Sequence, residues 1–343
     1  MIRLPFVRKR TGMLLLGMAL LVGGCRKDLC YNHYREAVVD LAWESAWERD
    51  YGMGWAAAWS ETLYGRPYEA LLPGTAEGVT LIDYDRAGHT SEHFLSAQGG
   101  TFIPEEGEHD MLLYNNDTEY ILFDDMASLP AARATTTTRT RGSFKALHAG
   151  ERTVNPPDVL YGAYIERAPA VELHERSRIE ATMRPLVYTY LVRYEFESGL
   201  EYVSLARGAM AGMAEEVYLR DGATSEKSVS ILFDGELTSW GAVARVRSFG
   251  VPGFPDAYYR PQRDAEATKR HYALNLEVML RNGRMKTYEF DITDQMARQP
   301  RGGVITVRGL TVAEDEIGTD SGFDVTVDDW GEFEDIDLPI RPA

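Results

Sequence analysis

The chain has 343 residues, 44% of them apolar, and carries 53 acidic against 36 basic side chains for a formal charge of −17. Apolar residues spread along the whole length exclude a mostly disordered polymer, and the length exceeds the usual single core, so two domains are expected. The acidic balance works against binding nucleic acid or an anionic lipid face through charge.

The chain opens with Arg3, Arg8, Lys9 and Arg10, then the apolar run "MLLLGMALLVGG" from Met13 to Gly24, then Cys25. That order is the order of an export signal. A run this short falls well below the roughly 30 Å of a bilayer core at helical rise, which favours cleavage over a retained span. "LLVGGC" places Val22 three residues before Cys25 and glycines directly before it. This resembles the bacterial lipoprotein signal, which makes Cys25 the acylated first residue of the mature protein, anchored through lipid without spanning. Only Cys30 then remains, and one thiol forms neither an internal disulfide nor a thiolate metal cluster.

Most of the remaining chain alternates apolar and polar residues between turn signals, the pattern of strands. Trp43 alternates with Leu41, Val39 and Ala37, so Trp43, Trp47, Trp55 and Trp59 are expected to fill a core; exposed, they would form a platform for sugar rings. Ala56–Tyr64 has the pattern of two helical turns. "DYDRAG", Asp83–Gly88, copies the first half of a calcium loop, but Ala87 and Phe94 stand where oxygen ligands are required, so a turn between strands is expected. His89 and His93 would converge on a metal only on a helix, with His109 following Glu105, Glu106 and Glu108; the strand-like surroundings argue against it.

In "MLLYNNDTEYILFDD", residues 111–125, two apolar runs flank Asn115–Thr118. Asparagine and aspartate tolerate positive φ and bond their own backbone, so this group is expected to close a turn rather than hold a ligand. The flanking runs are apolar on both faces and should be covered on both sides. "ATTTTRTR", Ala134–Arg141, is β-branched and reads as an edge strand. The pattern pauses at Pro169, which places the domain boundary there: a signal over 1–24, then domains over 25–168 and 169–343.

"HERSR", His174–Arg178, lacks the second histidine of a zinc protease. In "LVYTYLVRYEF", Leu186, Tyr188, Tyr190, Val192, Tyr194 and Phe196 share one face, and Arg193, Glu195 and Glu197 the other, as in a half-buried strand. "ARGAMAGMAEEVYL" should bend where Gly208 and Gly212 interrupt it. A helical turn is expected over "DAEATKR" from Asp264. In "ALNLEVMLRNGRMKTYEFDIT" a two-residue loop would mix the faces, so an odd-length or bulged turn around Asn282-Gly283-Arg284 is required, opposing Val278 to Tyr288 and Leu276 to Phe290. The acidic groups at Glu314–Glu316, Asp328–Asp329 and Glu332–Asp337 read as solvated surface rather than a hydrolase pair. Neither a nucleophile elbow nor a phosphate-cradling loop is present in the sequence. The reading is therefore a protein without catalytic machinery, cofactor or metal.

Several segments together resemble the fimbrillin-like lipoproteins of Bacteroidales: "CRKDLCYNHYREA", "GGTFIPEEGEHDMLLYNNDTEYILF", "ARGAMAGMAEEVYL", "FDITDQM" and "GFDVTVDDWGEFEDIDLPI". Within that family they resemble a branch akin to the fimbrial anchor subunits. The resemblance implies an all-β fold of two tandem transthyretin-like β-sandwich domains, lipid attachment to the outer membrane through Cys25, no enzymatic activity, and association with fimbrial subunits by strand complementation. Surface-exposed lipoproteins of the phylum often carry an acidic cluster after the cysteine, whereas "CRKDL" has Asp28 alone. Stalk-forming fimbrillins lose a leading segment at an arginine, and Arg26 and Arg35 are the positions available here. Loss of Cys25 would release the protein, so an anchor or accessory role is expected. The rival is a glycan-binding surface lipoprotein serving nutrient uptake, which requires an exposed line of Trp or Tyr.

Overall fold

The structure, a computed structural model, describes residues 35–49, 54–140, 148–168, 170–172, 175–255 and 270–316. The leader, Cys25, Cys30, His174, the segment 264–269 and the acids beyond Glu316 lie outside the described residues. Along the chain the strands are β1 (Glu36–Trp43), β2 (Gly78–Tyr84), β3 (Thr90–Ser96), β4 (Gly99–Phe102), β5 (His109–Asn115) and β6 (Ile121–Asp124). Then follow β7 (Arg133–Thr136), β8 (Arg152–Val154), β9 (Tyr161–Ala168), β10 (Arg176–Pro185), β11 (Tyr188–Ser198) and β12 (Val203–Ala214). The last are β13 (Val217–Tyr218), β14 (Ser228–Leu237), β15 (Gly241–Ser248), β16 (Ala273–Leu280), β17 (Met285–Asp291) and β18 (Gly303–Thr311). The fold is all-β, as the period-two pattern requires.

Seven strands join in the closed order β1-β10-β9-β5-β2-β3-β4. Their inward residues, among them Val39, Leu81, Met111, Leu113, Ile179 and Met183, form one core. A second sheet runs β17-β16-β12-β14-β15-β11-β18, with β8 beside β14. It turns back on itself along β14, whose first part pairs with β12 and whose Glu236 and Leu237 pair with β15. The enclosed core includes Tyr190, Val192, Met210, Ile231, Leu276 and Ile305. A short sheet, β13-β7-β6, lies between them.

Sheet membership does not follow chain order. β10 lies beyond the pause at Pro169 yet pairs in parallel with β1 from Glu36↔Arg176 to Trp43↔Met183, so the passage from first to second sheet falls at Leu186–Val187. In the other direction, the segment carrying Trp47, Trp55 and Leu71 packs on Leu191, Val243 and Val304 of the second sheet. This segment contains two short helical turns, Trp55–Ala58 and Glu61–Tyr64, the latter capped by the Ser60 hydroxyl accepting from the Leu63 N–H. It also covers the face of β11 that the sequence leaves to solvent. Arg193 is consequently buried, its guanidinium 4.6 Å from the Trp240 ring and 5.3 Å from that of Tyr64.

β5 is covered on both faces, as its composition requires. Met111 and Leu113 face the first core, while Leu112 and Tyr114 pack with Ile121, Ala134, Val217 and Phe249. β6 is only half covered, with Leu122 exposed. The threonine run is not an edge: β7 lies between β13 and β6, with Ala134 and Thr136 buried. β12 bends at Gly212, whose φ is +82° where the register with β14 shifts. The β16–β17 loop has the required odd length: Leu280 N–H donates to Arg284 O and Gly283 has φ +82°. Its register differs from the expectation by two residues, with Leu276 opposite Tyr288, because the three-residue loop covers 281–283 instead of 282–284. A two-residue slip preserves the faces, so the sequence pattern does not distinguish it.

The polar group after β5 is a clamp. Asn115 is buried; its Nδ2 donates to Val159 O at 3.0 Å and to Asp117 Oδ1 at 2.7 Å, while its Oδ1 accepts the Tyr161 N–H at 2.7 Å. Asp117 accepts the Glu77 N–H and Asn116 donates to Thr80 Oγ1, tying β5 to β2 and to the start of β9. The architectural reading of "YNNDTE" therefore holds, although the strands it separates belong to different sheets.

Two outcomes follow from this packing. Leu113→Ala, which truncates a fully buried side chain, is expected to lower unfolding free energy in urea by about 3 kcal/mol; Phe94→Ala, at a side chain 72% exposed, should change it by less than about 0.5 kcal/mol. Asn115→Leu keeps the size but orphans the Tyr161 N–H and the Val159 carbonyl, and should cost about 3 kcal/mol in the same titration.

Candidate functional site

The first sheet closes weakly at one place. β9 and β10 are antiparallel neighbours, but their ladder contains only Gly162↔Arg184 and Tyr161↔Pro185. Beyond those pairs each strand follows its other neighbour: β10 stays with β1 over its parallel ladder, and β9 stays with β5. At the far end of β9, Arg167 takes φ +53° and its N–H donates to Asp110 Oδ1 at 2.8 Å, which holds the strand end toward β5. The strands separate, leaving an opening of about 450 Å³ with Ala163, Ile165 and Ala181 among its lining residues.

Two sheet edges face each other across this opening, with Ala163, Ile165 and Ala181 as its apolar part and charged side chains, Glu180, Arg184, Arg220 and Asp221, around them. Ala163 and Ile165 are partly buried against the first core, to which Ala181 also belongs. Tyr164 stands on the other face of β9, with the Arg220 guanidinium 5.1 Å from its ring. Arg301 closes the end nearest the second sheet, 4.3 Å from the Phe254 ring and 5.3 Å from that of Tyr188. Burial, with the neighbouring Arg49 adding to it, lowers Arg301 to about 10, so it remains a cation at neutral pH. The arrangement suits an extended peptide, which would take backbone hydrogen bonds from both edges and bury alternate side chains below.

The other candidate residues are separated. His89 is exposed and pairs with Asp85 at 2.8 Å within the β2–β3 turn, where Gly88 has φ +88°; "DYDRAG" is thus the expected turn. The Asp85 carboxylate is held below its ordinary range by hydrogen bonds from His89, and His89 is raised by the same partner. His93 packs against Phe102 in a tilted arrangement, ring centroids 4.6 Å apart. His109 points into the first core instead, its Nδ1 2.8 Å from Asp83 Oδ1 and its Nε2 3.1 Å from Glu105 O. The Asp83 contact is close but poorly directed, so the carboxylate lacks an aligned donor. Burial raises the Asp83 acid, opposed by His109. Sequence reading missed this pair; the signal was a charged residue at an inward position of each strand, Asp83 in phase with Leu81 and His109 with Met111. Among the described residues no cluster of three His, Cys, Asp or Glu side chains is placed to hold a metal.

The tryptophans point inward, as expected. Trp47 and Trp55 are buried, and the partly buried Trp43 and Trp59 donate their indole N–H to Ala97 O and Arg66 O. Among the described residues no helix is long and apolar enough to cross a membrane. Cys25, the single residue to which the sequence assigns a chemical role, lies outside the described residues.

Comparison with known proteins gives a consistent result. Residues 71–234 match the family model of the domain of unknown function DUF5119. A Bacteroides ovatus protein bearing the name fimbrium anchoring subunit Fim4B is 23% identical over 302 residues, covering 80% of this chain and 88% of that protein. The crystal structure of a protein described as an adhesin, also from Bacteroides ovatus, superposes with a TM-score of 0.54 at 19% identity, covering 84% of this chain and 99% of that one. The fimbrial anchor protein Mfa2 from Porphyromonas gingivalis gives a TM-score of 0.42 at 11% identity, over 80% of this chain and 90% of that one. The similarity to a fimbrial anchoring subunit expected from the sequence is thus observed over most of both chains.

Proposed function

We propose that this chain is a non-catalytic lipoprotein of the outer membrane, held there by acylated Cys25, and that it is an anchor or accessory subunit of a fimbria-like surface assembly. It joins that assembly by strand complementation, accepting an extended segment of another subunit between β9 and β10. The observation that carries this reading is the opening itself, where a ladder of two residue pairs gives way to facing edges. The relation to an anchoring subunit supports it.

The two enclosed cores support the finer expectation of two β-sandwich-like units of the transthyretin-like kind, crossed by the tryptophan segment and by β10. The chain's formal charge of −17, more negative still once the basic leader is removed, is repelled by anionic headgroups, so acyl chains rather than basic residues supply the membrane affinity. The glycan-binding alternative requires an exposed aromatic platform, and the four clustered tryptophans are turned inward; this favours the assembly role.

Cys25→Ala expressed in the native host should move the protein from the outer-membrane fraction to the soluble fraction on immunoblots. Retention of the variant in washed membranes removes the lipid-anchor reading. A photo-reactive residue replacing Tyr164 should cross-link, in native membranes, to an extended terminal segment of a second surface subunit, identified by mass spectrometry of the joined peptides. Cross-links to carbohydrate alone, or none, overturn strand complementation at this opening.

A further inference from the structure

β18 ends the second sheet. One edge pairs in parallel with β11, and the other has no strand partner among the described residues. Such an edge is a template for pairing with another chain unless something takes up its N–H and C=O groups. Here two glutamines do so. Gln299 Oε1 accepts the Val304 N–H at 2.6 Å while its Nε2 donates to Val304 O at 3.1 Å. Gln295 Oε1 accepts the Thr306 N–H at 3.0 Å while its Nε2 donates to Thr306 O at 3.1 Å. Each carboxamide therefore pairs with one residue through two hydrogen bonds, as a residue of a neighbouring strand would. Flipping either amide would lose both bonds, so its orientation is determined.

The spacing explains why this works. Four residues along a helix advance about 6 Å, and two residues along a strand advance about 6.6 Å. The turn Thr293–Met296 and its continuation to Gln299 thus present glutamines four residues apart to the outward-facing groups of strand residues two apart, in antiparallel order. A second observation shows that the backbone accommodates the cap. Gly303 takes φ +148°, and a Cβ there would lie 2.0 Å from Gln299 Oε1. Farther along the edge, Thr311 O accepts from Lys286 Nζ at 2.9 Å and from Tyr288 Oη at 2.7 Å, so side chains of β17 occupy that end.

We propose that Gln295 and Gln299 form a strand surrogate that prevents β18 from pairing with the β18 edge of a second copy of this chain, and so confines strand addition to the β9–β10 opening. The block on β18 stands by itself; the confinement rests on the function proposed above. The test is sedimentation of the full chain in detergent, combined with amide hydrogen exchange, for the parent and for Gln295→Ala/Gln299→Ala. The double variant is expected to self-associate at concentrations where the parent does not. In its dilute monomer, exchange at Val304 and Thr306 should be at least ten-fold faster. Adding Thr306→Pro, which removes the outward donor, should restore the monomer.

A double variant that keeps parent-like exchange in β11 and β16, exposes Val304 and Thr306, and still remains monomeric overturns the proposal. Should the double variant not fold, Gln295→Ala alone provides the test. Its expected result is faster exchange at Thr306 with Val304 unchanged, and unchanged exchange at Thr306 overturns the proposal. Cross-linking at position 164 reads the acceptor opening separately, so its failure leaves these outcomes intact.

Discussion

The backbone of a sheet edge must find partners, and the way each edge of this molecule does so organises the structure. The first sheet closes on itself, which removes its edges except where β9 and β10 separate. In the second sheet β17 is an edge lined by Lys286, Glu289 and Asp291, charges that discourage pairing, while β18 is capped by glutamine carboxamides. Two edges are thus blunted by side chains. The facing edges of the opening instead turn Ala163, Ile165 and Ala181 toward the first core, with charged side chains at the margins. Between β9 and β10 the ladder ends after two residue pairs.

The two cores are not independent. β5 lends one face to the first core and the other to the packing between the sheets, and the tryptophan segment carries residues from the first sheet's side onto β11, β15 and β18. Parallel pairing of β1 with β10 brings together residues about 140 positions apart, and the exposed ion pair Arg176–Glu36 at 2.6 Å accompanies it. Such exposed pairs contribute little beside the ladder and the inward Val39, Ile179 and Met183. Interlocking of this kind ties the two sheets together through shared side-chain packing.

The chemistry points the same way. The buried Asp83–His109 pair sits in the first core beneath the segment carrying Glu105, and the partly buried Glu151 accepts from Ser228, Ser230 and the Gly212 N–H. Glu151 is held below its ordinary range despite its burial, because these donors and His148 favour the carboxylate. Polar groups of this kind organise strands at a bulge or a barrel end.

The sequence by itself determined the class of fold, because period-two alternation admits little besides strands, and for most strands it marked the apolar face. It specified the double burial of β5, the odd loop at Gly283, the bend at Gly212 and the inward tryptophans, each of which depends on neighbours a few residues away. Only the tertiary structure decided which strands pair. That β10 returns to β1, that β7 is central rather than an edge, that Arg193 is roofed by Trp240 and Tyr64, and that β9 and β10 part after two residue pairs all depend on segments far apart in the chain. Alternation records which face of a strand is apolar but not which strand lies beside it, so the opening could be located only once the sheets were assembled.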